Sequence, residues 1–542
     1  MRSIRHLLAN IVASAGRAAS LAPLLLVFGL ALAAPPPAAQ AKGGTVKVVM
    51  HSGLRNLDPV MVISHITRNH GYMIYDVLIA QDERFQPRPQ MADWQVSPDG
   101  KVYTFTLRDG LKFHDGTPVT AADAVASLDR WGKKDAGGQM VFAATARLEA
   151  RDGRTIMWTL KEPFPALLSV VSKMSTIPAF IMPERIASTP IDKAITEHIG
   201  SGPFKFVAAQ FQPGVKAVYE RFADYVPRKE PPSWLAGGKV VKVDRVEWIT
   251  MPDQQTALNA LAAGEIDYIE MPQADLLPIL DGNPGVVVER RDAVGYELLL
   301  RMNFKHPPFD NLKMRQAVLK ALNQQEILKI MFGDPNYYRV CGAIFGCDSP
   351  LASTAGTQTL TGSGDVAAAR KLIAEAGYDG TPIVVVKATD VYDNATAVDA
   401  VTQLLRKAGL KVEVQEMDWQ TRAIRVTSRK RPAEGGWNFF LSSFHILDIN
   451  SPIYSSPLNA KGEQGWLGWP DDPVLEGMRA EFAAAPTPEA QKAVAARIQA
   501  HVLENVIYIP LGNWLNAQAR SAKLSGMIPG PVTVFWNIEK AN

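Results

Sequence analysis

Residues 383–415 constrain the fold of this chain most. Ile383, Val384, Val385 and Val386 form a β-branched run, Asn394 can cap a helix, and Val398, Val401, Leu404, Leu405 and Ala408 fall on one face of it. Gly409 stands where a helix-ending glycine belongs, and Val412 and Val414 then alternate with Lys411, Glu413 and Gln415. Strand, helix and strand in that order imply a right-handed crossover in a largely parallel sheet. Residues 365–377 (DVAAARKLIAEAG) read as a second capped amphipathic helix, and residues 310–328 contain a third with Leu312, Ala317, Ala321 and Leu322 on one side. The C-terminal half is therefore an α/β lobe. It cannot be the whole molecule, because 542 residues exceed the roughly 250–300 at which single cores stop growing.

The N-terminal half carries a different pattern. In residues 94–123 a Ser97-Pro98-Asp99-Gly100 turn leads into a strand whose Tyr103, Phe105 and Leu107 point to one side. Thr120 and Asp123 form a capping-box signature ahead of Val125, Leu128 and Trp131 at helical spacing. Short strands, tight turns and one helix predict a small subdomain.

The first 20 residues hold Arg2, Arg5 and Arg17 with no acid, followed by an apolar run over residues 21–34 that is short of the roughly 20 residues a membrane span requires. Ala39-Gln40-Ala41 places small residues where a signal peptidase reads, so cleavage is expected after Ala41, and no cysteine stands nearby to carry a lipid anchor. An exported chain in the periplasm, not inserted in the membrane, is expected. Loss of those three arginines leaves 54 basic against 54 acidic residues, which removes the electrostatic ground for nucleic-acid binding. Cys341 and Cys347, the only cysteines, have five residues between them. In an oxidising compartment, with Gly342 and Gly346 in the loop, they read as a local disulfide or as two buried thiols, but not as half of a zinc site.

Motifs for chemistry are missing. There is no Gly-x-Ser-x-Gly, no phosphate loop and no His-Glu-x-x-His. His65 and His70, five apart, fall on different sides of a helix or strand and read as ordinary polar residues. An acid/base pair assembled from distant segments, as in a periplasmic hydrolase, leaves no such trace and stays as a rival reading. No enzyme activity and no cofactor are expected.

Residues 94–125, Gly200-Ser201-Gly202-Pro203-Phe204, residues 260–268 (ALAAGEIDY) and residues 307–321 (PPFDNLKMRQAVLKA) together resemble the family 5 extracellular solute-binding proteins, the peptide and nickel type that serves ABC importers. The resemblance implies an α/β, two-lobed periplasmic binding protein fold of type II, with an extra subdomain in the first lobe. On this sequence it places a signal peptide at 1–41, the first lobe at 42–294 with the extra subdomain near 76–205, the second lobe at 295–505, and a return to the first lobe over 506–542. Residues 296–304 and 506–511 are placed to be the strands that cross between lobes; bulk buried strands would have the same composition.

The resemblance also implies partners and a site: a peptide-like or similar small organic solute held between lobes, an inner-membrane ABC permease, and a monomeric carrier. Peptide binders of the family commonly pair an aromatic residue with an aspartate that meets the ligand's amino terminus. In residues 436–452 (GWNFFLSSFHILDINSP) the matches are Phe444 and Asp448, about one residue further apart than in the familiar pattern. Asp448 can instead cap a turn beside Asn450-Ser451-Pro452, and Phe444 and Trp437 can wall a pocket or fill a core. Tyr392, expected in a loop at the carboxyl end of a strand, and Arg55, able to meet a carboxylate or simply be solvated, complete the ligand-site candidates. His445 beside Phe444 keeps open a nickel or metal-chelate ligand, the alternative within the same family.

Overall fold

The computed structural model describes residues 43–361, 364–389 and 391–541. The expected leader and its cleavage after Ala41 lie outside these residues. Two large sheets dominate. The first has seven strands in the order Phe204–Phe206, Lys216–Arg221, Arg245–Ile249, Thr45–Val49, Tyr268–Ile269, Ala517–Ser521 and Val286–Arg290. The second has six, in the order Tyr338–Arg339, Ile509–Trp514, Tyr296–Met302, Phe439–His445, Ile383–Ala388 and Val412–Met417.

The expected crossover belongs to the second sheet. Ile383–Ala388 pairs parallel with Val412–Met417, and the helix Tyr392–Lys407 connects them, ending at Ala408 with Gly409 at φ 101°. That helix starts two residues before Asn394, so Asn394 lies inside its first turn and Val391 is the capping position. The sequence signal for a start is the weaker one here because Asn and the residues before it all tolerate a first turn. Asp365 caps Val366–Glu375 by accepting from the Ala368 N–H at 2.8 Å, as its pattern predicts.

A third, four-stranded antiparallel sheet has the order Ala92–Val96, Val102–Leu107, Thr155–Leu160 and Thr145–Ala150 and contains the strand expected after the Ser97–Gly100 turn. Tyr103, Phe105 and Leu107 are buried on its inner face, and Thr120 and Asp123 form the capping box of the helix Ala121–Lys134.

The chain passes between the two large sheets twice. Residues 291–295 join Val286–Arg290 to Tyr296–Met302, and Leu515 with Asn516 joins Ile509–Trp514 to Ala517–Ser521. The crossings thus flank the strands at 296–304 and 506–511, which are themselves antiparallel neighbours inside the second sheet. Ile509–Trp514 pairs with Tyr296–Met302, so the chain leaves the second sheet after Trp514. Both crossings are tied together: the Arg291 N–H donates to the Asn516 carbonyl at 2.9 Å. Gly295 sits at φ 70°, and a Cβ there would lie 2.3 Å from the Trp514 carbonyl oxygen, so only glycine permits this approach.

Cys341 and Cys347 form a disulfide. Its loop packs on the second sheet near residue 446, where a Cβ on Gly346 would come within 2.6 Å of the Ile446 side chain. Gln324 fixes the other end, donating to the Cys341 carbonyl at 3.0 Å and accepting from its N–H at 2.8 Å. Among the described residues no helix is long and apolar enough to cross a membrane.

Candidate ligand-binding cleft

The strand Phe439–His445 runs between Tyr296–Met302 and Ile383–Ala388 and ends in a single helical turn, Ile446–Ile449. The buried His445 starts that turn: its Nδ1 accepts from the Leu447 N–H at 3.2 Å. The turn carries Asp448 outward from the sheet end. Facing it are the start of the helix His65–Ile74, the end of Ala121–Lys134, and residues 173–177. A cavity of about 460 Å³ separates the two groups. Ile63, His65, Lys134, Asp135, Lys173 and Thr176 line it on one side. Trp419, Ser443, Phe444, His445, Asp448 and Tyr454 line it on the other.

Asp448 is the chemical centre of this cleft. Its Oδ2 lies 2.7 Å from His65 Nε2, and its Oδ1 accepts from the Thr176 N–H at 3.3 Å. Both partners come from the opposite wall. Burial pushes the carboxyl up, but His65, His445 and Arg68 outweigh that and hold it well below the usual carboxylate range, so Asp448 is ionised. Burial drives His65 below its ordinary value against the pull of Asp448, and drives His445 down to about 3. Neutral His445, with Nδ1 accepting from Leu447, must carry its proton on Nε2, which has no partner among the described residues.

The cations of the cleft differ in availability. Lys173 is buried and its three N–H groups are committed, to Asp135 Oδ2 at 2.9 Å, to Ser175 Oγ at 2.9 Å and to the Thr176 carbonyl. Lys134, the last residue of its helix, is exposed at the cavity wall and forms no ion pair among the described residues. The apolar lining comes from Ile63, 81% exposed, together with Trp419 and Phe444, whose ring meets Trp466 edge-on at 5.5 Å.

Of the residues proposed from sequence, Asp448, Phe444 and His445 come together here. Trp437 does not. It is fully buried among Val386, Val426, Phe440 and Trp469, because it precedes the strand whose far end carries His445, and eight extended residues span about 25 Å. Arg55 is also elsewhere: it is exposed, with its guanidinium over Gly214. Tyr392 opens the helix Tyr392–Lys407 rather than lying in a loop, and its side chain lies outside the described residues. His65, read from its spacing as an ordinary polar residue, sits at the centre of the site, and Thr176, Lys134 and Trp419 carry no sequence motif that marks them. Among the described residues no group of three or more His, Cys, Asp or Glu is placed to hold a metal ion, so His445 gains no metal-binding company.

The family model for bacterial extracellular solute-binding proteins, family 5 Middle, matches residues 86–466, well over half of the chain. The chain belongs to the family 5 extracellular solute-binding proteins. It is 38% identical over 523 residues, 95% of this chain and 98% of the relative, to the "Probable peptide ABC transporter periplasmic-binding protein y4tO" of Sinorhizobium fredii. It is 28% identical over 436 residues, 76% of this chain and 80% of the relative, to the glutathione-binding protein GsiB of Pectobacterium atrosepticum. Among solved structures, the periplasmic binding protein DppA of Helicobacter pylori, in complex with the peptide STSA, superposes with a TM-score of 0.74 at 20% identity, covering 93% of this chain and 99% of that one. This solute-binding protein therefore has the two-lobed periplasmic binding protein fold of its family.

Proposed function

We propose that this protein is the periplasmic substrate-binding component of an ABC importer, and that it captures a short peptide-like solute through the ligand's free amino group. The observation that carries this reading is Asp448: a half-buried, ionised carboxylate aimed into a cavity, whose hydrogen-bond partners among the described residues come from the facing wall. A buried carboxylate gains most from a cation that brings its own charge, and an ammonium supplies it. A cavity of about 460 Å³ falls within the roughly 300–1,000 Å³ range of small-molecule sites and suits a few residues of peptide. Lys134 offers a carboxylate its counter-charge, while Ile63, Trp419 and Phe444 offer apolar area to side chains. Relatives whose names specify peptides or glutathione support the same class.

In this reading the first lobe is built on the seven-stranded sheet with the subdomain and the second on the six-stranded sheet, exchanging at 291–295 and 515–516. Exported and monomeric, the protein closes these lobes on its solute and presents the closed form to the permease, breaking no bond. Thermal-shift and calorimetric screening with di- to tetrapeptides, glutathione and N-acetylated counterparts tests it. A ligand at a hundredfold excess over its Kd should add about 2.7 kcal/mol of stability. Binding that ignores N-acetylation, or turnover of any bound peptide, would overturn the proposal.

A further inference from the structure

Among the described residues one titratable side chain hydrogen-bonds to Asp448, and it does so across the cleft: His65 Nε2 at 2.7 Å. The charged and titratable groups around His65 are few. Arg68 stands one turn further along its own helix, and His51 acts from the preceding strand end. From the second sheet come the rings of Tyr296, edge-on at 6.3 Å, and His445, edge-on at 5.9 Å. The His65 side chain keeps 23% exposure, and its Nδ1 has no partner among the described residues, so it can exchange a proton with the solvent of the cavity.

The two protonation states of His65 leave Asp448 with different charges to offer. Neutral His65 donates its Nε2–H, and together with the Thr176 N–H it orients the carboxylate without cancelling its charge. A carboxylate has about four acceptor positions, so two remain for an ammonium. A proton on Nδ1 turns the same contact into an ion pair, and an arriving ammonium then meets a pair with no net charge, beside a second cation. Building on the amine reading of Asp448, we infer that His65 is a specificity-determining residue of the cleft: ligand ammonium and a proton on His65 compete for the one carboxylate. Burial keeps His65 in its neutral form near pH 7, which is the binding-competent one. The cleft therefore admits amine ligands at neutral pH and releases them on acidification, while a ligand lacking the amine has no such dependence.

The test is calorimetric, on the full mature chain, with trialanine and N-acetyl-trialanine between pH 7.5 and 5.0. For wild type, the trialanine Kd should rise about tenfold per pH unit once His65 protonates, with proton release on binding read from two buffers of different ionisation enthalpy. His65→Gln keeps a neutral N–H donor and cannot titrate, so its Kd should stay within about twofold across that range. The buffer comparison needs no variant and decides the matter should His65→Gln misfold. A wild-type Kd flat across the range with trialanine still preferred over its acetylated form overturns the role of His65 and leaves the amine site standing. The same acid loss in wild type and His65→Gln also overturns it. Absence of trialanine preference at pH 7.5 overturns the amine reading and this inference with it.

Discussion

Replacing Asp448 with Asn separates charge from shape at the centre of the cleft. The Asn side chain keeps an oxygen to accept the Thr176 N–H, now 3.3 Å from Asp448 Oδ1, and its amide can donate to His65 once that ring moves its proton to Nδ1. What disappears is the negative charge. Truncating one member of a buried, hydrogen-bonded charge pair costs about 2–5 kcal/mol of binding. Asp448 retains 16% side-chain exposure and one carbonyl survives the change, which places the loss near the lower end, about 2–3 kcal/mol. That is a rise in Kd of about 30- to 150-fold for a free-amine peptide and little change for its N-acetylated form. The fold should tolerate the exchange, since shape and the hydrogen bond from Thr176 are kept, although the variant gives up the stability that the ionised carboxylate contributes. The pH dependence follows from the sign of the shift. Asp448 is held below its unfolded value, so its contribution is complete above about pH 4 and drains away as pH falls through the folded value. The melting difference between wild type and Asp448→Asn should therefore shrink in acid. Calorimetry with both peptide forms checks the first statement and a melting series from pH 3 to 7 the second. Equal Kd values for variant and wild type, or an unchanged ratio between free and acetylated peptide, would refute the reasoning.

Lys134→Met should weaken peptides with a free carboxyl terminus by about two- to fivefold, the modest effect of an exposed charge, and leave their amidated forms unaffected; equal losses for both forms would exclude a carboxylate role. Replacing Cys341 and Cys347 with Ser releases a loop of sequence separation 6, worth about 2 kcal/mol in chain entropy and so about 2 °C in Tm for a chain this long. Reductant should reproduce that shift in wild type and not in the double variant. Glu297 is fully buried and burial raises its carboxyl well above the usual range, so its neutral form supports the fold below the unfolded value and that support declines as pH rises. Glu297→Gln should accordingly melt higher than wild type by a margin that widens from pH 5 to pH 8; a constant margin would show that Glu297 is not held neutral.

Local chemistry was legible in the sequence and distant chemistry was not. The crossover at residues 383–417, the capping box at Thr120 and the helix-ending Gly409 are each set by residues within a few positions of one another, and each forms as its pattern predicts. Phe444, His445 and Asp448 reach the candidate cleft together for the same reason, since the aromatic run and the turn that project them are contiguous. The same run misplaces Trp437, because apolar composition marks a buried strand without saying which end of it meets a cleft. His65 is the instructive failure. Its partner lies 383 positions away, and nothing in its neighbours distinguishes it from His70, which instead meets the buried Tyr219 hydroxyl at 2.9 Å. A site between two sheets draws half of its groups from each, and only the half that shares a segment with the key aspartate leaves a local pattern. Of the two contacts from the facing wall, the one from Thr176 runs through its backbone N–H and survives most substitutions, whereas the one from His65 depends on its side chain. If His65 sets the acid dependence inferred above, a protein with this fold and this aspartate but a non-titrating residue at position 65 should hold an amine ligand equally well at pH 5 and pH 7.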